Sequence, residues 1–166
     1  MRHPRTADLE ALLRALQEHQ VPLIVVGGAA AVIHGAPVTT QDLDIVPRLD
    51  PGDEDRLLAL LERLDARFRP VLPGRDVMPG PEHLAARGQL NLITNLGPLD
   101  VLCRLHDHRG YDELFAHSRE VVDGDLRVRV LDLDTLITIK QSTGRARDAM
   151  VVPILIALRD GNDRGD

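Results

Sequence analysis

The chain has 166 residues, of which 43% are hydrophobic but only 2% aromatic, with no Trp, so a core of this size has to be built from Leu, Val, Ile and Ala. A formal net charge of −6 argues against a surface given over to nucleic acid, though not against a local basic groove, and one cysteine excludes an internal disulfide framework. The polar N-terminus, the lone cysteine and the lack of any run approaching ~18 apolar residues read as a soluble, cytoplasmic protein with no membrane span, one domain over residues 1–166.

In chain order, Ala7 to Gln20 carries Leu9, Leu12, Leu13 and Leu16 at the spacing of an amphipathic helix, with Thr6 as its expected N-cap. Pro22 separates this helix from a strand, Leu23 to Val26. Gly27-Gly28 then breaks the chain into a short alanine-rich helix, Gly28 to His34, which ends at Gly35 and cannot resume past Pro37. A second strand covers Leu43 to Val46. Asp50-Pro51 reads as cap and first residue of a helix whose buried stripe is Leu57, Leu58, Leu61, Leu64 and Phe68.

Pro70 to Gly88 holds four prolines and three glycines and reads as a long loop with one helical turn around Glu82 to Ala86. Leu90 to Thr94 and Leu99 to Cys103 form a strand pair across Asn95-Leu96-Gly97-Pro98. A short helix follows over Tyr111 to His117. Asp123-Gly124 is the turn of a hairpin between Glu120–Val122 and Leu126–Leu131. Two helices close the chain, Asp134 to Ser142 and Arg145 to Leu158, with a polar tail after Arg159 that is expected to fray. The sum is an α/β (α+β) chain with a mixed sheet flanked by helices.

Chemistry concentrates between Ile24 and Val46. A glycine turn entering a helix presents backbone N–H groups to an anion. Asp42 and Asp44, two apart on a strand, point to one face, where carboxylate oxygens can hold a hard divalent cation. Asp100 at the start of a later strand joins them if the strands pair with matching pleat. Like charges about 4 Å apart repel by roughly 4 kcal/mol at an effective dielectric near 20. The cluster therefore needs cations, and two Mg²⁺ ions roughly 3.5–4 Å apart would supply them. With an NTP bound, Asp100 is the candidate base. The basic residues are 19 Arg and one Lys, so Lys140 stands out as a compact ammonium suited to a triphosphate.

These residues resemble a known family. Apolar-Gly27-Gly28, a short helix, Thr40-x-Asp42-Leu43-Asp44 and a third Asp on a later strand are similar to the nucleotidyltransferase superfamily, with its DNA polymerase β-like fold. Ala30, His34-Gly35, Gly97-x-x-Asp100, Lys140, Gly144-Arg145 and Arg147-Asp148 resemble the bacterial branch that includes the type IV abortive-infection toxins. The resemblance spans about residues 20 to 158. It implies a nucleotidyltransferase fold with a mostly antiparallel sheet and C-terminal helices. It implies phosphate contacts at Gly27 and Gly28, metals at Asp42, Asp44 and Asp100, a triphosphate contact at Lys140, and Arg145 and Asp148 as buttresses of the nucleotide site. The acceptor by that analogy is tRNA, a protein or a small molecule such as an antibiotic, and a toxin would have a cognate antitoxin. Two positions depart from the pattern. Val38 stands where members often carry Arg, and Ala149 follows Arg147-Asp148 where another Asp is usual.

Other motifs have plainer readings. Asp132-Leu133-Asp134 repeats the Asp-x-Asp spacing at a strand exit, where Asp134 reads as an N-cap. His34 reads as a packed helix-end residue. Cys103, His106 and His108 lack a fourth ligand for zinc, and Arg104 and Arg109 beside them suggest a small basic edge. The competing functional class is a nucleotidyltransferase-like module that binds nucleotide or a partner protein without transfer.

Overall fold

A computed structural model describes residues 3–70, 73–74 and 76–165. Helix α1 spans Leu9–Glu18 and buries Leu12, Leu13 and Leu16. Its cap is Asp8 and not Thr6: the Asp8 carboxylate accepts from the Ala11 N–H at 3.0 Å. The residues before it are tied to neighbouring loops. Ala7 N donates to Gln41 O at 2.8 Å and Asp8 N to Leu96 O at 2.9 Å.

The centre is an antiparallel pair, β1 (Leu23–Val26) with β2 (Leu43–Pro47). Between them runs α2, Gly27–Ile33, whose Ala29, Ala30 and Ala31 are fully buried. Small side chains there let the helix lie close on the sheet. Next comes α3, Pro51–Arg63, burying Leu57, Leu60, Leu61 and the following Leu64. Asp50 is its N-cap residue, but its carboxylate makes no capping bond and instead faces Arg48 at 3.4 Å. The buried Asp53 does more at this helix start, accepting from Arg48 Nε at 2.5 Å and Arg56 Nη1 at 3.0 Å.

Phe68 does not belong to the α3 stripe. The chain reverses at Asp65 (φ 53°), and Arg67–Phe68 form β3, an edge strand not foreseen from the sequence. Phe68 packs at a tilt against the ring of His83, with centroids 4.7 Å apart. Positions 71, 72 and 75 of the expected loop over 70–88 lie outside the described residues, and its helical turn is α4, Pro81–Ala85.

Strands β4 (Gln89–Thr94) and β5 (Gly97–Leu102) form the expected hairpin. After α5 (Tyr111–Phe115), β6 (Ser118–Asp123) and β7 (Leu126–Leu131) form the second hairpin, with β6 longer than the three residues expected. Helices α6 (Leu133–Ser142) and α7 (Ala146–Asp163) complete the chain. The cap of α6 is Asp132, two residues before the one expected, accepting from Thr135 N at 2.7 Å. Helix α7 outlasts its expected end, and Arg159 binds Asp134 at 3.0 Å. No described helix is long and apolar enough to cross a membrane.

The seven strands form one sheet in the order β3-β4-β5-β2-β1-β7-β6. Neighbours are antiparallel except β1 with β7 and β2 with β5, so the sheet is mixed and mostly antiparallel. The parallel pairing of β2 and β5 does most to position side chains for chemistry. It sets Leu43 opposite Leu99, Asp44 opposite Asp100 and Ile45 opposite Val101. The leucines, isoleucine and valine are fully buried on one side, which fixes the register and sends the two aspartates to the other.

Candidate active site

The glycine turn is dictated by what lies against it. Gly27 adopts φ +63°, and a Cβ there would overlap Asp44 Oδ2. At Gly28 a Cβ would sit 2.8 Å from Thr40 Oγ1. Any side chain at either position collides with the loop and strand that carry the carboxylates. Thr40 in turn donates from Oγ1 to Asp42 O at 3.1 Å, pinning the approach to β2.

Asp42, Asp44 and Asp100 meet above this turn. One ligand atom from each lies within 4.8 Å of the others, the sole such trio of acidic, His or Cys side chains among the described residues. Burial, together with the charges of Asp100 and Asp42, pushes the Asp44 carboxyl up to about 7. Asp100 is also raised, chiefly by burial, with Arg69 pulling the other way and Asp42 adding to the rise. A proton retained near neutrality on one member of an oxygen cluster marks uncompensated negative charge. Three carboxylates in reach of one another are the donor set a hard divalent cation takes, so the residues fit such an ion.

One participant was not foreseen. Arg69 follows β3, and its N–H donates to Asn91 O at 2.9 Å, continuing the β3–β4 register. Asn91 pairs with Asp100, Asp100 with Asp44, and Asp44 with Val26. Arg69, Asn91, Asp100 and Asp44 thus form one row across the sheet. From the row's end the guanidinium reaches over Asn91: Nη2 donates to Asp100 Oδ1, and Nη1 lies 3.6 Å from Asp42 Oδ1. Its Nε is buried without a hydrogen-bond partner among the described residues. A two-residue strand has no readable periodicity, so nothing local in the sequence pointed to Arg69.

The glycine turn and the carboxylate trio open into a cleft of about 640 Å³ that runs to the C-terminal helices. Lys140 lines its far side, largely buried, with Nζ 3.1 Å from Asp148 Oδ1. Thr143 Oγ1 donates to Asp148 Oδ2 at 2.6 Å. Burial works against ionisation of Asp148, but the bonds from Thr143 and Lys140 outweigh it and hold the carboxyl below the ordinary range. Arg145 precedes α7 as its N-cap residue and also lines the cleft. All eight residues singled out from the sequence (Gly27, Gly28, Asp42, Asp44, Asp100, Lys140, Arg145 and Asp148) therefore border one cavity. Lys140 differs from expectation in one respect, being bonded to protein.

The plainer motifs resolve individually. His34 Nε2 bonds Leu131 O at 2.7 Å and Nδ1 faces Arg119 Nη2 at 3.0 Å, while burial lowers its pKa; this ring ties α2 to the β6–β7 hairpin. Cys103 is buried, and burial pushes its thiol up. His106 bonds Ser142 Oγ at 2.8 Å. Arg104 lines the cleft, whereas Arg109 binds Asp107 at 2.9 Å, so the basic edge contains only the first of the two. Asp132 and Asp134 serve α6 as cap and ion-pair partner and stand apart from the trio.

Comparison with solved structures bears on the fold. The lincosamide antibiotic adenylyltransferase LnuA, in its lincomycin-bound crystal structure, matches with a TM-score of 0.64 at 13% identity, over 93% of this chain and 99% of that one. The antibiotic-resistance factor ANT(2'')-Ia matches at 0.56 and 15% identity, over 94% and 89% respectively. An antigenic nucleotidyltransferase-like protein from Paracoccidioides brasiliensis matches at 0.53 and 17% identity, over 89% and 72%. No protein-family model and no curated protein sequence matches the chain. The fold is that of the nucleotidyltransferases.

Proposed function

We propose that the protein is a divalent-cation-dependent nucleotidyltransferase that moves a nucleoside monophosphate from an NTP to an acceptor hydroxyl. The observation that carries this reading is the β2–β5 register, which sets Asp44 beside Asp100 with Asp42 in reach, on a nucleotidyltransferase fold. Asp42, Asp44 and Asp100 would hold Mg²⁺, two ions in our reading, which when bound neutralise triphosphate charge and acidify the acceptor hydroxyl.

The residues of the chain do the remainder. Asp100 takes the proton of the acceptor hydroxyl as that oxygen bonds to the α-phosphorus. The bond from the α-phosphorus to its bridging oxygen breaks, and pyrophosphate leaves with the electron pair. Backbone N–H groups at Gly27 and Gly28 receive that charge at the mouth of α2. Lys140 meets the triphosphate from the opposite wall, its ammonium held in place by Asp148, and Arg145 supports the same wall.

The charge of the lining supports an anionic acceptor. The cleft's carboxylates are the metal trio and Asp148, which is committed to Lys140, while Arg87, Arg104, Arg145 and Arg147 also line it. That balance suits an RNA end such as tRNA better than a cationic antibiotic or a neutral protein hydroxyl. An RNA acceptor agrees with the resemblance to the bacterial type IV toxins, whose cytoplasmic setting and antitoxin partner belong to the same proposal. The residue patterns that support it are Thr40-x-Asp42-Leu43-Asp44 and Gly144-Arg145 with Arg147-Asp148.

The test is incubation with each α-³²P-labelled NTP and Mg²⁺, offering total tRNA, lysate protein, lincomycin and an aminoglycoside in parallel. Label on RNA is the expected result. Label on an antibiotic or a protein would keep the transferase and replace the acceptor. NTP binding by calorimetry with no transfer to anything would favour a binding module, a reading to which Val38 in the cleft wall lends some support.

A further inference from the structure

The guanidinium of Arg69 occupies two of the three carboxylates assigned to metal. Nη2 is hydrogen-bonded to Asp100 Oδ1 and Nη1 lies 3.6 Å from Asp42 Oδ1. No ion pair links Arg69 to Asp44, so the contact is one-sided within the trio. The other cation near the trio, Lys140, is committed to Asp148. Arg69 is therefore the local counter-charge of Asp100.

Its seat is held by those carboxylates more than by its own packing. The Nε–H is buried with no acceptor among the described residues, which is an uncompensated burial of a donor. The backbone beneath it is the end of a two-residue edge strand, paired with β4 on one side and on the other tied only by Phe68 N donating to Val77 O at 3.0 Å. A divalent ion bound at Asp100 would draw off the carboxylate charge that holds the guanidinium and place like charge a few ångströms from it.

We propose that Arg69 competes with the divalent cation at Asp100, so that loading of the acceptor-side ion requires the guanidinium to release Asp100 and Asp42. The inference rests on the proposed metal assignment and deepens it into an order of events. An ion taken mainly by Asp44 would enter first, because Asp44 carries no guanidinium and Arg69 meets that ion's other ligand, Asp42, only at 3.6 Å. The ion at Asp100 enters second and only against Arg69. The site then holds its activating ion weakly until a bound triphosphate adds the negative charge that tips the exchange. Such an arrangement would keep an idle enzyme from activating water in place of the acceptor.

The experiment is a Mn²⁺ titration of the full chain, without nucleotide, followed by electron paramagnetic resonance. It is run on the native protein and on Arg69→Gln, Arg69→Lys and Asp100→Asn. The native chain should show one tighter and one weaker Mn²⁺. Arg69→Gln should tighten the weaker one by about tenfold or more, since a full positive charge is removed beside it. Arg69→Lys, which keeps the charge and loses the fork, should lie between the two. In thermal melts Arg69→Gln should be less stable than the native chain in EDTA and regain more on adding Mn²⁺, a readout that registers even a partly destabilised variant. Unchanged or weaker Mn²⁺ binding in Arg69→Gln, with Asp100→Asn still losing the second ion, would overturn the competition and leave the metal site intact. No Mn²⁺ bound by any of the proteins, or Asp100→Asn binding like the native chain, would overturn the metal assignment and this inference with it.

Discussion

The tripeptide Asp-Leu-Asp occurs twice, at residues 42–44 and 132–134, and the two copies do different work. The first enters a strand, where residues two apart share a face, so both carboxylates turn to the cleft. The second enters a helix, where each residue rotates by about 100° and residues two apart diverge. There Asp132 caps α6 and Asp134 reaches sideways to Arg159. Spacing carries no chemistry until the element beneath it is known.

The sharpest break of this comparison is substitution of the second aspartate in each copy. Asp44→Asn should reduce transfer by roughly a hundredfold or more, as expected when a group acting directly on the reacting charge is lost. Asp134→Asn should leave it within about twofold, since a surface ion pair contributes little. Comparable losses from the two would erase the distinction. Steady-state transfer with labelled NTP decides it.

The copies also differ in what crowds them. A Cβ at Gly27 would overlap Asp44 Oδ2 at a φ of +63°. Gly27→Ala should therefore cost about 3 kcal/mol of stability from steric overlap and a left-handed backbone, and divalent-ion binding should fall with it. A variant that melts like the native chain in urea would mean that the Asp44 carboxylate has room to move. No glycine presses on the second copy in this way. At that copy Asp132→Ala should cost about 1 kcal/mol through the lost cap and leave the catalytic rate unchanged.

Protonation bears on the first copy as well. The Asp44 carboxyl is raised from 3.8 to about 7, so between those values the folded chain holds a proton that the unfolded chain has lost. Stability in EDTA should thus fall as pH rises from about 4 to 7 and level off above, a slope Asp44→Asn should flatten. Asp53 and Asp148, both held below the ordinary carboxylate range, act in the opposite sense and only at more acid pH. Because a cation at the trio displaces the Asp44 proton, metal binding should release a proton below pH 7 and none well above it. Calorimetry in buffers of different ionisation enthalpy measures that release.

What was legible in the sequence divides along the same line. Short apolar runs, a glycine turn and hairpin signals are local, and they located β1, β2, β4, β5 and β7, from which the carboxylate trio emerged. The α1 cap was misplaced because the segment before the helix is tied to two distant loops: Ala7 N donates to Gln41 O and Asp8 N to Leu96 O, and Asp8 in place of Thr6 caps the helix. Leu58 was expected in the α3 stripe but is only partly buried, while Leu60 takes a core position in its place. Arg69 was invisible because its partner is fixed by a pairing that runs from β3 through β4 to β5, three strands whose alignment no local pattern announces.

The parallel pairing of Asp44 with Asp100 has a kinetic consequence. The two residues come from strands far apart in sequence, separated by two helices, an edge strand and the first arm of a hairpin. A contact of such long range closes a large loop and forms after the local hairpins do. Repulsion within the trio is therefore deferred until the sheet is nearly assembled, when the leucine, isoleucine and valine contacts across the same pairing already oppose it. A divalent ion acting at that late juncture should leave the refolding rate almost unaltered and slow unfolding, lengthening the life of the native state without hastening its arrival.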